Sequence, residues 1–277
     1  MTASVPIANP SLRMRRLEAN LHGYIAHVHR NQSSMVLWDE PALLLADSGL
    51  PSDTFNKVAR ARLAPERCRL EIGRAAGHFR AAGRPFAWWV GPSCRPLNLE
   101  EHLRDMGFSA AERETGMCLE LRGLRKAPLP AQLQMKPVRS AQQLQDLSRV
   151  LAENWTPPDS AVALFYQAAA PLIVGPRSAL RYFVAYLDEE PVAVSGLYLE
   201  NGVGGIYSVA TRKQFRRRGI GSHVTWAAAA EARRCGAQLA VLQASANGEE
   251  IYRRLGFRDC GYFAEYTPQA LPCAQAG

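Results

Sequence analysis

The sequence predicts an α/β protein of the α+β kind, with a central, mostly antiparallel mixed sheet flanked by helices, built as two tandem domains. Three observations carry this prediction. Residues 133–267 alternate strand-like and helix-like patterns. A polar, proline-containing stretch at residues 126–132 divides the chain into two halves that each look self-sufficient. Residues 100–108 of the first half echo residues 249–257 of the second. The expected boundaries are a first domain at 1–125, a linker at 126–132 and a second domain at 133–277, a division that a chain of 277 residues accommodates.

In the second half, residues 135–138 suit a short strand, and residues 141–154 carry Leu144, Leu147, Val150 and Leu151 at helical spacing. The run Asn154-Trp155-Thr156-Pro157-Pro158 stops that helix, because proline has no amide hydrogen and crowds the preceding turn. Residues 160–172 read as the next helix. Strands follow at 181–187, 192–199 and 205–211, joined by the turns Asp188-Glu189-Glu190 and Glu200-Asn201-Gly202 as antiparallel hairpins. Beyond a glycine-containing loop, the alanine-rich residues 223–235 are helical, 239–244 form a short apolar strand, 249–255 a short helix and 257–267 a closing strand.

The first half repeats the tail of this pattern. Glu100-Glu101-His102-Leu103-Arg104-Asp105-Met106-Gly107-Phe108 shares five positions with Glu249-Glu250-Ile251-Tyr252-Arg253-Arg254-Leu255-Gly256-Phe257. Upstream of each lies a helix, a glycine (Gly83, Gly236) and an apolar strand at 86–90 or 239–242. Two copies of one fold, side by side, explain the shared order better than chance does.

A hydrophobic content of 47% with 21% charged residues fits a packed core. No uninterrupted apolar segment follows the arginines of the first twenty residues, and no stretch approaches the roughly 20 apolar residues of a membrane span. Cys68, Cys94, Cys118, Cys235, Cys260 and Cys273 include no CxxC pair, which argues against a zinc site and a disulfide framework and for a reduced, cytoplasmic protein. His22, His27 and His29 have no cysteine or carboxylate partner at ligand spacing, so no metal is assigned. The net charge of +8 admits a polyanionic partner, but no aromatic–basic interleaving or nucleic-acid motif accompanies it. A phosphate-bearing cofactor near Arg216, Arg217 and Arg218 accounts for the charge more simply.

That arginine run belongs to Arg216-Arg217-Arg218-Gly219-Ile220-Gly221, which follows an apolar strand and opens a long helix. Glycines at 219 and 221 let the backbone approach a ligand closely, and the free N–H groups of the first helical turn favour an anion. Ser222 adds a hydroxyl on the same turn. The segment resembles motif A of the GCN5-related N-acetyltransferases (GNAT): Gln or Arg, two residues of any type, Gly, any residue, then Gly or Ala. Arg216, Gly219 and Gly221 fill it. Ser208-Val209-Ala210-Thr211 stands where the family's preceding strand carries a valine, and Ile251 to Phe257 matches a final helix with a tyrosine ahead of Gly-Phe. The resemblance spans residues 133–268.

The resemblance implies an acetyl group carried from acetyl-CoA to a primary amine of a small molecule, peptide or protein. It implies that the fourth and fifth strands of the second domain, 205–211 and 239–244, splay apart around the pantetheine arm, with the backbone of Val209 and Ala210 holding the arm and polarising the thioester. The cofactor set is then Val209, Ala210, Arg216, Arg217, Arg218, Gly219, Ile220, Gly221 and Ser222, with Ser245 and Asn247 either bonding the arm or capping a helix. The family often has asparagine at the position of Ser245. Tyr252 is the expected general acid for the departing thiolate, with a core tyrosine as the alternative. No base is assigned: Glu200 reads as an exposed hairpin glutamate, and His223 as a packing residue.

The first domain lacks the loop. Leu63-Ala64-Pro65-Glu66-Arg67-Cys68 stands in its place and Leu103 replaces the tyrosine, so this copy is expected to be a degenerate domain without cofactor, a scaffold or a wall of the acceptor site. Trp88 and Trp89 on its fifth strand read as core. For the acceptor, Trp155 could stack on it and Asp159 could pair with its ammonium, or both could be helix-boundary residues. The competing functions are a coenzyme A-binding regulatory module without turnover and a basic nucleic-acid adaptor, whose binding would fall steeply with salt.

Overall fold

The computed structural model describes residues 11–128, 130, 132–175 and 178–269. Leu129 and Ala131 of the expected linker, Cys273 and the first ten residues lie outside the described residues. The first half runs α1 (Leu12–Arg30), β1 (Val36–Asp39), β2 (Leu44–Asp47), β3 (Lys57–Ala59), α2 (Cys68–Ala81), β4 (Ala87–Val90), α3 (Leu99–Asp105) and β5 (Phe108–Glu120). The second runs β6 (Gln134–Pro137), α4 (Ala141–Ala152), α5 (Ala161–Ile173), β7 (Leu180–Leu187), β8 (Glu190–Glu200), β9 (Val203–Thr211), α6 (Ile220–Arg234), β10 (Leu239–Ala244), α7 (Glu249–Leu255) and β11 (Arg258–Pro268).

The repeat read from the sequence has a counterpart in the backbone. The helices α3 and α7 each end before a left-handed glycine, Gly107 at φ 82° and Gly256 at φ 103°, and Gly83 and Gly236 play the same part after α2 and α6. Both halves join a parallel strand pair through a helix: β3–α2–β4 and β9–α6–β10.

The halves do more than lie side by side. All eleven strands form one sheet in the order β1-β2-β3-β4-β11-β5-β10-β9-β8-β7-β6. Strand β11, the last of the second half, pairs with β4 of the first; β5, the last of the first half, pairs with β10 of the second, and the two exchanged strands pair with each other. Helix α1 also crosses over. Its Met14, Leu17, Leu21 and Val28 share a core with Leu147, Val162 and Phe165 of α4 and α5. Glycines permit the approach from both sides of β9: a Cβ at Gly204 would meet Ala232 of α6 at 2.5 Å, and one at the next residue, Gly205, would strike Asn20 of α1. The sheet is thus sandwiched between α6 with α7 on one face and α1, α4 and α5 on the other.

One expectation is overturned here. Cys118 and Cys260, read as free thiols, are joined, with Cα atoms 6.3 Å apart. Their separation of 142 residues carries no spacing signal, and only the β5–β11 pairing brings them together. Cys260 is the extra residue of a bulge between the Asp259–Met117 and Gly261–Gly116 pairs, next along from the Arg258–Cys118 pair.

Candidate active site

The loop ahead of α6 is set by two left-handed residues, Arg217 at φ 62° and Gly219 at φ 76°, the latter serving as the helix N-cap. Arg216 is pinned by its own side chain, whose Nε donates to the Thr211 carbonyl at the end of β9, 2.9 Å away. Arg218 lies over the Phe215 ring at 5.5 Å. The first helical bond runs from His223 N–H to the Gly219 carbonyl, so the amides of Ile220, Gly221 and Ser222 are offered outward. A Cβ at Gly219 would meet nothing within 4 Å, and one at Gly221 would make only ordinary contacts, with Thr211 Oγ1 at 3.5 Å and Ile251 Cδ1 at 4.0 Å. An exposed, three-arginine cradle with free amides and no acidic residue in the first turn fits a pyrophosphate. Ile220 contributes to it only through its backbone, since its side chain is buried at 1% exposure beside Val224. Ser222 does not cap the helix.

Beside this cradle the sheet opens. Strands β9 and β10 pair only through Val203–Leu239, Gly204–Ala240 and Gly205–Val241, and the rest of each strand runs free of the other. On its opposite edge β9 bulges: Val194 pairs with Ala210 and Gly196 with Tyr207, so Ser195 alone faces Ser208 and Val209. Ser208 takes φ 51° at that bulge, and its Oγ lies 3.1 Å from the Tyr24 hydroxyl of α1 and 3.2 Å from that of Tyr166 in α5. These contacts hold the backbone of Val209 and Ala210 at the mouth of the gap.

The gap leads into a cavity of about 550 Å³ that reaches Val209, Ala210, Gln243, Ser245 and Tyr252. Much of its wall comes from the first half of the chain, through α1, Phe55, Trp89 and the strand β5. Phe55 stacks on Phe165 with ring centroids 4.0 Å apart, and Trp155, 40% exposed, stands at the rim. Tyr252 packs edge-on against Phe257. Burial, reinforced by the charge of Glu114, pushes its phenol up to about 12, so it holds its proton at neutral pH. Glu114 itself is pushed up to about 7, first by burial and then by Glu112 and Glu265, with Lys57 opposing. Sequence reasoning missed this glutamate: only the alternation Glu112-Arg113-Glu114 on a strand hints that both acids share a face.

Several expected residues stand elsewhere. Asp159 faces no acceptor space: its Oδ1 accepts from Ala161 N–H at 2.8 Å and its Oδ2 from Ser52 Oγ at 2.9 Å, which ties the start of α5 to the first half. Asn247 is exposed and outside the cavity wall, and neither it nor Ser245 caps α7 by its side chain; the Ser245 carbonyl accepts from Gly248 and Glu249 instead. Glu200 accepts from Tyr198, and the buried His223 contacts the Pro128 carbonyl at 3.2 Å. Trp88 is core and wholly buried, whereas Trp89 lines the cavity. Among the described residues, no helix is long and apolar enough to cross a membrane.

A helix terminus shaped for phosphate, a parted strand pair and a protonated phenol at the head of a cavity are the working parts of an acyltransferase. Residues 142–257 match the model of the acetyltransferase (GNAT) family, and the chain carries a domain of that family within a tandem GNAT fold. A GCN5-related N-acetyltransferase from Kribbella flavida superposes with a TM-score of 0.73 at 19% identity, covering 94% of this chain and 97% of its own. One from Sphaerobacter thermophilus gives 0.58 at 14% identity over 96% and 93%. A tandem GNAT protein from the clavulanic acid biosynthesis pathway gives 0.55 at 17% over 83% and 79%. No curated protein matches the chain.

Proposed function

We propose that this chain is an N-acetyltransferase that moves an acetyl group from acetyl-CoA to the amine of a small molecule, peptide or protein. The observation that carries the reading is the continuity of the Arg217–Gly219 turn, the β9–β10 gap and the Tyr252 cavity. Residues 133–277 act as the cofactor-binding domain and 1–125 as the degenerate one, with 126–132 between them. Arg216, Arg217 and Arg218 supply charge to the phosphates while the amides of Ile220, Gly221 and Ser222 donate to them. The arm lies along β9, Val209 and Ala210 donate toward the thioester oxygen, and Ser245 borders it from β10. Tyr252 gives its proton to sulfur as the carbon–sulfur bond breaks.

The test is the thermal midpoint with and without acetyl-CoA, in the parent and in a Gly219→Glu, Gly221→Glu double variant. A ligand held only by the folded state raises the midpoint, by about 2.7 kcal/mol of stabilisation at a hundred times its Kd. The parent should shift and the variant should not; a parent that fails to shift removes the reading.

A further inference from the structure

Four residues that line the cavity carry a polar group without a partner among the described residues. Trp89 Nε1 on β4 and Gln243 Nε2 on β10 are buried donors with no acceptor. The Glu114 carboxylate on β5 and the Tyr252 hydroxyl on α7 make no hydrogen bond or ion pair. Buried polar groups are nearly always satisfied, so two orphaned buried donors beside an unpaired carboxylate and an unpaired phenol on the wall of one space mark where a polar ligand belongs. The remaining wall is apolar and aromatic, with Phe55, Phe165 and Trp155 among its members.

The exchanged strand sets the place of Glu114. Thr115 pairs with Ala244 on one side, and Glu114 pairs with Phe263 on the other. One residue past the last β5–β10 pair, Glu114 comes alongside Ser245, where β10 runs out into the cavity. We propose that Glu114, supplied by the first half of the chain, is the base that takes the proton from the acceptor, and that the acceptor is a small amine with an aromatic body. This rests on the acetyltransferase reading above.

The protons balance. An ammonium gives one proton to the Glu114 carboxylate, and the freed nitrogen pair forms the carbon–nitrogen bond at the thioester carbonyl. The carbon–sulfur bond breaks as Tyr252 protonates sulfur. The second nitrogen proton leaves through solvent and restores the phenol, and Glu114 returns its own to water, leaving an amide, a thiol and one proton. Facing Glu114 are Glu112 on its own strand, Glu265 on β11, Lys57 on β3 and Tyr252 on α7. Their balance holds its titration at about 7, where a base can be ionised and still accept a proton.

The experiment uses the full chain, 2-phenylethylamine as the aromatic probe and propylamine as the aliphatic one. Amine binding to protein saturated with coenzyme A is measured by calorimetry, and thiol release from acetyl-CoA is followed from pH 6 to 9 in the parent, Glu114→Gln and Glu114→Asp. The parent should bind 2-phenylethylamine at least tenfold more tightly than propylamine, and its kcat/KM should fall below a bend near pH 7. Glu114→Gln should keep the acetyl-CoA midpoint shift, which shows that it is folded, while losing the bend, about tenfold in amine affinity and roughly 10²- to 10⁴-fold in kcat/KM. Glu114→Asp should restore part of both. Equal binding and turnover in parent and Glu114→Gln overturn the inference, and so does a coenzyme A-saturated parent that binds the two amines alike. A parent whose midpoint ignores acetyl-CoA instead defeats the acetyltransferase reading itself.

Discussion

Helices α2 and α6 connect parallel strands in the two halves, yet they begin in opposite ways. Helix α6 starts from two left-handed residues and three exposed arginines, with no acid in its first turn. Helix α2 follows a short 3₁₀ turn at Pro65–Arg67, begins from a right-handed Arg67, and carries Glu71 in its first turn, held by Arg67 and Arg74 at 2.9 Å each. The scaffold is shared; its anion site is not. A backbone frame therefore does not confer cofactor binding, which needs a local turn whose amides stay free and whose charges stay unspent.

The comparison can be broken most forcefully at the tryptophans. Trp88→Ala empties a fully buried site in the first half and should cost about 3–5 kcal/mol, a fall in thermal midpoint on the order of 10 °C. Trp155→Ala, at the exposed rim, should leave the midpoint nearly unchanged and raise the KM for the amine. Next in size is the phenol: Tyr252→Phe should lower kcat by roughly 10²-fold with the acetyl-CoA midpoint shift intact, whereas Leu103→Tyr in the first half should add no activity. A kcat that survives the loss of the hydroxyl would return Tyr252 to the core.

Two glutamates should respond to pH in opposite senses. Glu114 titrates in the folded chain at about 7, above its ordinary 4.5, so its share of stability is complete below 4.5 and is lost as pH rises through 7. Glu114→Gln should therefore unfold a few degrees above the parent at pH 8 and alongside it near pH 4. Glu231 is held down to about 2 by Arg234 and Arg181, so its share is present above 4.5 and lost as pH falls toward 2. Glu231→Gln should lower the midpoint at pH 7 and converge on the parent in strong acid. The smallest effect separates the two halves most cleanly. Gly83→Ala and Gly219→Ala each force a side chain into left-handed backbone, at φ 62° and φ 76°, with open space around the added carbon. Each should cost about 1 kcal/mol, and only the second should weaken acetyl-CoA binding, as titration of both variants would show.

The elements of the second half were legible because their periods are local: the apolar spacing of α4, the alternation of β7 to β9, and the glycine loop before α6 stand within single turns or strands. The turn proposed as the cofactor cradle was legible for the same reason. What lay hidden depends on pairing across the chain. Nothing in residues 108–120 says that the strand leaves its own half, so Glu114 drew no notice and Cys118 looked like a free thiol. Helix α1 drew notice only for its histidines, although its Leu21 and Tyr24 reach the cavity, because an amphipathic helix does not name the surface it will cover. Asp159 misled for a related reason: a carboxylate near a helix start serves a cap or a ligand equally well in sequence, and here Ala161 and Ser52 claim it.

The strand exchange also governs the order in which this molecule can be made. A chain leaving the ribosome ordinarily completes its first domain before its second. Here β4 waits for β11, which ends at Pro268, and β10 finds its neighbour in a strand synthesised long before it. The first half must keep an open sheet edge until Pro268 emerges, while the second arrives to find part of its proposed site already standing.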